Sequence, residues 1–195
     1  NNNFNYSQIL NVTFKNSNLE NSTFNGSRLD VEFNNANLNG CQFVPVLLQL
    51  HDGRQRIMPT VFHNMSTFNG ASIAGATFQQ TIGLENKNFN NINLVGTSFA
   101  GCSLLNTSFR NADLRNATFN MCAITGCDFT GSRIDGINVS PDTLATGDAN
   151  NGLNNRLRPT DHPKIYPTDI HAAFGIVNLN KLYREIYVTS LENYS

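Results

Sequence analysis

The chain has 195 residues, a formal charge of −1 and only 14% charged residues. That balance argues against a basic nucleic-acid binder or a cationic membrane-surface protein. Four cysteines in a chain this long do not make a disulfide-dense secreted module. The length suits one compact domain with a small appendage. No apolar run approaches the length of a membrane helix, and no signal-peptide pattern is present.

The sequence opens Asn1-Asn2-Asn3-Phe4 without a methionine, which reads as a domain of a longer protein. From Phe4 a large apolar residue recurs every fifth position: Phe4, Ile9, Phe14, Leu19, Phe24, Leu29, then after a one-residue slip Phe33, Leu38 and Phe43. A period of five fits neither the 3.6 of a helix nor the 2.0 of a plain strand, so the chain must turn once per repeat. Two residues after most centres stand Asn or Gly, among them Asn11, Asn16, Asn21, Gly26 and Gly40. These residues accept positive φ cheaply, as the third position of a type II turn requires. Each pentapeptide is then one short extended side and one corner. Four corners close a square, and squares stack as parallel strands.

Residues 44–61 interrupt the repeat. Two apolar stretches flank Asp52-Gly53, a two-residue hairpin signal, so a β-hairpin or a long loop leaves the rod here. Its apolar and basic residues Leu47, Leu48, Leu50, Arg54, Arg56, Ile57 and Met58 are the candidate partner-binding set. A flat polar rod face offers little of the apolar anchoring that specific interfaces use.

The repeat resumes with Phe68, Ile73 and Phe78, then runs unbroken through Leu84, Phe89, Leu94, Phe99, Leu104, Phe109, Leu114, Phe119, Ile124, Phe129, Ile134 and Val139. Corner residues recur as Asn106, Asn111, Asn116, Gly126, Gly131 and Gly136. Two residues before the centres stand small or apolar side chains, including Ala36, Ala71, Ala112, Ala117 and all four cysteines, Cys41, Cys102, Cys122 and Cys127. The centre and this position point inward; the other three point outward. Phe89, Phe109 and Phe129 then stack one coil apart, as do Phe99 and Phe119, in a rod of roughly six coils. Lys87 falls at an inward position and Gly83 at a phase break, so distortion is expected there. The N-x-S/T triplets, such as Asn116-Ala117-Thr118, arise from the repeat itself.

After Val139 the period ends. Ser140-Pro141 is a helix start, residues 147–167 read as loop, and helical patterns follow near 168–175 and 180–193. The division is therefore 1–139 as β-helix and 140–195 as a helical cap over a strand edge that would otherwise polymerise.

Asn-Ala-Asp-Leu-Arg (111–115) and Asn-Ala-Asn-Leu-Asn (35–39) closely resemble the consensus of the pentapeptide-repeat family. The resemblance implies an all-β solenoid, a right-handed quadrilateral parallel β-helix. No catalytic constellation, cofactor site or metal set stands out: the cysteines read as core fillers, and His51, His63, His162 and His171 lack zinc spacing. The chain reads as a monomeric recognition scaffold that binds neither nucleic acid nor membrane.

Three functions fit that scaffold. In size, Asn and Ser content and helical lead-out it resembles the β-helix domain of the HECT-like ubiquitin ligase effectors of enteric bacteria, the SopA and NleL type. That likeness implies a bacterial protein secreted into a host cell, a host partner of the ubiquitin pathway, and a ligase cysteine outside this segment. A gyrase-binding DNA mimic, as in the quinolone-resistance branch of the family, is the alternative. It needs dense carboxylates, whereas Asp30, Glu32, Glu85, Asp113, Asp128 and Asp135 are offset by Arg28, Arg110, Arg115 and Arg133. The third is a structural spacer, in a cytoplasmic setting.

Overall fold

The computed structural model describes residues 1–147 and 151–153; the helical patterns near 168–175 and 180–193, and most of the loop before them, lie outside these. The elements in chain order are β1 (Gln8–Thr13), β2 (Arg28–Glu32), β3 (Gln42–Phe43), β4 (Val46–Gln49), β5 (Gln55–Met58), β6 (Val61–Phe62), β7 (Thr77–Gln79), β8 (Ser98–Ala100), β9 (Thr118–Asn120), β10 (Asn138–Val139) and α1 (Pro141–Thr146). Every pairing along the rod is parallel, with Phe78 beside Phe99 and Phe99 beside Phe119. β3, β7, β8, β9 and β10 form one face, and β1, β2 and β6 form another. The remaining two faces are joined by single bridges such as Asn93 to Asp113 and Ser108 to Asp128. This is a four-sided parallel β-solenoid.

The corners follow from the sequence. Each glycine and asparagine named above as a corner has positive φ, with Asn111 at 55° and Asn116 at 58°. Typical corners close with a bond from the fourth residue to the first, as from Ala112 N–H to the Phe109 carbonyl. Tyr6, Gln80 and Met121 also turn corners at positive φ, although none is a residue that favours it. There the surrounding ladder imposes the conformation.

The core is two opposed columns of rings. Phe4, Phe24, Phe43, Phe78, Phe99 and Phe119 stack at 4.7–5.2 Å. Phe14, Phe33, Phe68, Phe89, Phe109 and Phe129 form the other column at 5.0–5.6 Å. Edge-to-face contacts such as Phe109 against Phe119 join the columns, a favoured aromatic geometry. Val139 continues the first column beside Phe119, so that face has seven levels, about one more coil than the repeat count implied.

Small inward residues satisfy carbonyls that turn into the core at the corners. Ser27, Thr60, Thr81, Cys102, Cys122 and Thr143 donate to the carbonyls of Phe4, Phe24, Phe43, Phe78, Phe99 and Phe119 in turn. One column of hydroxyls and thiols thus runs the length of the rod. The inward position selects a small donor, and a cysteine there is more than filler.

α1 finishes that column and covers the last rung of one side, at Met121–Ile124. Ser140 is its N-cap and accepts from Thr143 N–H, as Ser140-Pro141 led one to expect. Ser140 Oγ, Thr143 Oγ1 and Thr146 Oγ1 accept the backbone N–H groups of Met121, Cys122 and Ile124. The Asn151 carbonyl accepts from Phe129 N–H.

The expected distortion is present and has two causes. Gly83 sits at φ 87°, and a Cβ there would lie 1.9 Å from the Phe62 carbonyl oxygen. Lys87, 6% exposed, sends Nζ to the carbonyls of His63, Asn64 and Ser66 at 3.0, 3.1 and 2.8 Å. Bridges join Glu32 to Thr67 and Asn88 to Ser108 along this face, but none joins Thr67 to Asn88. The ammonium replaces that rung, and the Phe33–Phe68 and Phe68–Phe89 rings tilt by 37° and 44°.

Candidate functional site

The chain leaves the rod after Val44 and re-enters at Thr60. Gly26 N–H donates to the Val44 carbonyl, and Val61 N–H donates to the Ser27 carbonyl. Thr60 Oγ1 bonds the Phe24 carbonyl at 2.8 Å. Between these anchors β4 and β5 form an antiparallel hairpin pairing Val46 with Met58, Leu47 with Ile57, Leu48 with Arg56 and Gln49 with Gln55. The tip has a three-residue loop rather than the two-residue turn suggested by Asp52-Gly53. Leu50 N–H donates to Arg54 O, Gly53 N–H donates to Leu50 O, and Gly53 takes φ 81°. A turn followed by a left-handed glycine suits the strand twist, and His51 is the first loop residue. Asp52 accepts from Arg54 N–H and Nε, and these bonds hold its carboxyl below the usual range.

Strand alternation divides the seven candidate residues between two faces. Leu48, Leu50 and Met58 are half-buried, on the same face as Val46, whose Cγ2 lies 2.9 Å from where a Gly26 Cβ would be. The opposite face presents Leu47 and Ile57 directly across from each other, 56% and 46% exposed. Gln49 and Gln55 extend that face and bond each other. Arg54 and Arg56 are both exposed, and Arg54 is engaged by Asp52. The apolar pair was within the candidate set, but its separation from the inner residues required the register.

The rod faces carry neutralised charge. Arg115 pairs with Asp113 at 2.7 Å, Arg133 approaches the same carboxylate at 3.6 Å, and Arg110 meets Asp128 at 3.2 Å. Hydrogen bonds from Arg115, with help from Arg133, hold the Asp113 carboxyl below its ordinary range; Thr130, then Arg110, does the same for Asp128. The face built on Phe24, Phe43, Phe78, Phe99 and Phe119 turns Thr23, Gln42, Thr77, Gln79, Ser98 and Thr118 outward and carries no charge.

All four cysteines are buried and unbridged. Burial pushes the Cys41 thiol up to about 11 and raises Cys122 well above its ordinary value, with Cys102 adding to it. A nucleophilic or metal-binding thiol needs the opposite shift. Among the described residues no group of three or more His, Cys, Asp or Glu side chains is placed to hold a metal ion. His162 and His171 lie outside them.

Stacked pentapeptide squares, positive-φ corners and an inward ladder of small donors define a pentapeptide β-helix. Residues 60–139 match the pentapeptide repeat region family. No curated protein matches the sequence. Among solved structures it is similar to HetL, a pentapeptide repeat protein involved in heterocyst differentiation regulation from the cyanobacterium Nostoc sp. Strain PCC 7120. Identity is 15% and the TM-score 0.32, over 69% of this chain and 58% of HetL. It is also similar to QnrB1, a plasmid-mediated fluoroquinolone resistance protein, at 13% identity and a TM-score of 0.27, over 91% of this chain and 98% of that one. Rfr23, a pentapeptide repeat protein from the cyanobacterium Cyanothece 51142, matches at 12% identity and a TM-score of 0.26 over 75% and 86%. The fold is read from the repeat and its corners, not from these superpositions. None of the three is described as a ubiquitin ligase or an effector.

Proposed function

We propose that the chain is a recognition scaffold that engages a protein partner through its inserted hairpin. The observation that supports this most directly is the Leu47–Ile57 pair, held exposed on a strand ladder rather than on a mobile tip. An exposed apolar pair supplies the apolar centre of a specific interface, and the nearby arginines are a residue type enriched in hot spots. The narrower reading is the target-binding domain of a secreted bacterial HECT-like ubiquitin ligase effector, with a host protein of the ubiquitin pathway as partner. The gyrase-binding DNA mimic is weaker, because Arg110, Arg115 and Arg133 neutralise the carboxylates beside them. The test is the double variant Leu47→Asp/Ile57→Asp beside an outward rod variant, Thr118→Asp, each used to capture proteins from host lysate. Loss of a specific band with the hairpin variant alone supports the reading. Capture unchanged by the hairpin variant removes it, and inhibition of gyrase supercoiling by the wild-type chain favours the mimic.

A further inference from the structure

We infer that the outer edge of β4 is a docking site for an extended strand of a protein partner, one that carries an acidic residue between apolar ones. The inference rests on the reading that the hairpin engages a partner, and it names how. Leu50 N–H donates to the Arg54 carbonyl at the hairpin tip, which sets the phase of the ladder below it. Leu48 with Arg56 and Val46 with Met58 are then the hydrogen-bonded pairs. By alternation the N–H and C=O groups of Leu47 and Gln49 aim away from β5. The sheet has two strands, and among the described residues no backbone group bonds those of Leu47 or Gln49. Both residues are exposed. N–H and C=O groups at two-residue spacing match the main chain of an added strand.

β4 also lacks the guards that keep an edge unpaired. Charged side chains and prolines normally blunt an exposed edge strand. β5 carries Arg56, with Arg54 just before it, whereas β4 reads Val46-Leu47-Leu48-Gln49 without a charge. Pro45 and Pro59 stand outside the paired residues. The edge is held straight before anything binds, by β5 along one side and by the bond from Gly26 N–H to the Val44 carbonyl at the base. Docking on a preformed strand costs little ordering of this chain.

Side chains fix what the strand carries. Leu47 and Gln49 lie on one side of the ribbon, and Val46, Leu48 and Leu50 on the other. An apolar residue opposite Leu47 extends the exposed Ile57–Leu47 row. The next residue falls beside Leu48, on the side where Arg56 stands across from Leu48. Arg54 is engaged by Asp52, while Arg56 is exposed and pairs with no acid among the described residues. Two strand spacings, roughly 10 Å, separate Arg56 from that incoming residue, a gap that an arginine and a glutamate close together by reaching over Leu48. A second copy complements this edge less well. Its β4 carries no carboxylate, so pairing β4 with β4 leaves both Arg56 side chains unanswered.

The probe is a capped peptide of alternating valine and glutamate, titrated into the 195-residue chain and followed at the backbone amides by NMR. Saturable shifts at Leu47 and Gln49, with a Kd below about 1 mM, are the expected result. Methylating the valine amides, which face β4 in an antiparallel pairing, is expected to weaken binding at least tenfold. Gln49→Pro is expected to do the same, because it removes an outward N–H and none of the β4–β5 bonds. Arg56→Ala is expected to erase the preference for this peptide over one with lysine in place of glutamate. No saturable shift at that concentration, or binding unchanged by valine methylation, overturns the proposal. So does a concentration-dependent doubling of mass without peptide that Gln49→Pro abolishes, which assigns the edge to a second copy. Capture from host lysate separates this inference from the reading beneath it. Capture lost in Leu47→Asp/Ile57→Asp but kept in Gln49→Pro overturns strand addition alone.

Discussion

Asn111 and Gly131 are stacked corners, and the Asn111 Oδ1 fills the space of a Gly131 Cβ, 2.2 Å from where that atom would be. The same relation joins Asn106 to Gly126 and Asn116 to Gly136. Asparagine therefore does two things at a corner: it tolerates φ near 55° and its amide covers the glycine one coil on. Asn111→Val is expected to cost about 1–2 kcal/mol from the left-handed conformation alone, while Asn111→Gly stays near neutral. Gly131→Ala is expected to destabilise the parent more than it does the Asn111→Gly background, because the second change removes the clashing oxygen. Equal effects in both backgrounds, measured by urea unfolding, would separate the two residues energetically.

Lys87 is the second prediction. Its ammonium supplies donors to three carbonyls of the 63–66 corner, where the strand rung is missing. Burial lowers its pKa, and Glu85 and Asp30 oppose that fall. Lys87→Met keeps the volume and removes the donors. Ser66 N–H still serves the His63 carbonyl, so the Asn64 and Ser66 carbonyls lose their donor; at roughly 1–3 kcal/mol each, less whatever the rung recovers by re-forming, a loss of about 2–4 kcal/mol is expected. Amide exchange will accelerate first at residues 63–68. Unchanged exchange there in Lys87→Met would show that the ammonium is not holding the corner.

Much of this was legible in the sequence, for a physical reason. A solenoid repeats one local decision, so Phe89 to Phe109 to Phe129 and Asn106 to Gly126 announce their stacking by spacing alone. What spacing could not show is where the ladder overrides local preference. Tyr6, Gln80 and Met121 turn corners because the neighbouring rungs demand it, and nothing in those side chains signals it. Lys87 was visible as an anomaly, but its three acceptors come from a segment more than twenty residues earlier. The seven hairpin residues were in view as a group, whereas the split between Leu47 and Ile57 on one face and Leu48 and Met58 on the other depends on the strand register.

The thiols give a pH prediction. Burial raises the folded Cys41 thiol to about 11, against an ordinary value of 9.0. The folded state therefore holds a proton that the unfolded chain releases as pH passes 9. Stability from this group is intact below pH 9 and falls between about 9 and 11. At 1.36 kcal/mol per pKa unit, the shift makes this loss up to about 3 kcal/mol. Cys41→Ser keeps a donor for the Leu19 carbonyl, which Cys41 Sγ bonds at 3.1 Å, and is expected to flatten that slope in urea titrations at pH 8, 9.5 and 10.5. Rapid labelling of native Cys41 or Cys122 at pH 8 would contradict their burial.

The last prediction concerns how independent the hairpin is of the rod that carries it. The coil is already closed at the base: Gly26 N–H reaches the Val44 carbonyl and Val61 N–H reaches the Ser27 carbonyl, while Thr60 Oγ1 completes its rung at the Phe24 carbonyl. Replacing residues 47–57 by a short Gly-Ser linker leaves all three bonds and the Val46 contact at Gly26 in place. What is lost is the half-buried inner face, chiefly Leu48 and Leu50, on the order of 1–2 kcal/mol because those side chains bury only part of their surface. For a domain of this size that corresponds to roughly 2–8 °C in Tm. A cooperative melt within that window is the expected result. A drop of roughly 15 °C or more, or loss of cooperativity, would mean the hairpin braces the coil, and its exposed Leu47–Ile57 face would then have to be tested by point substitution alone.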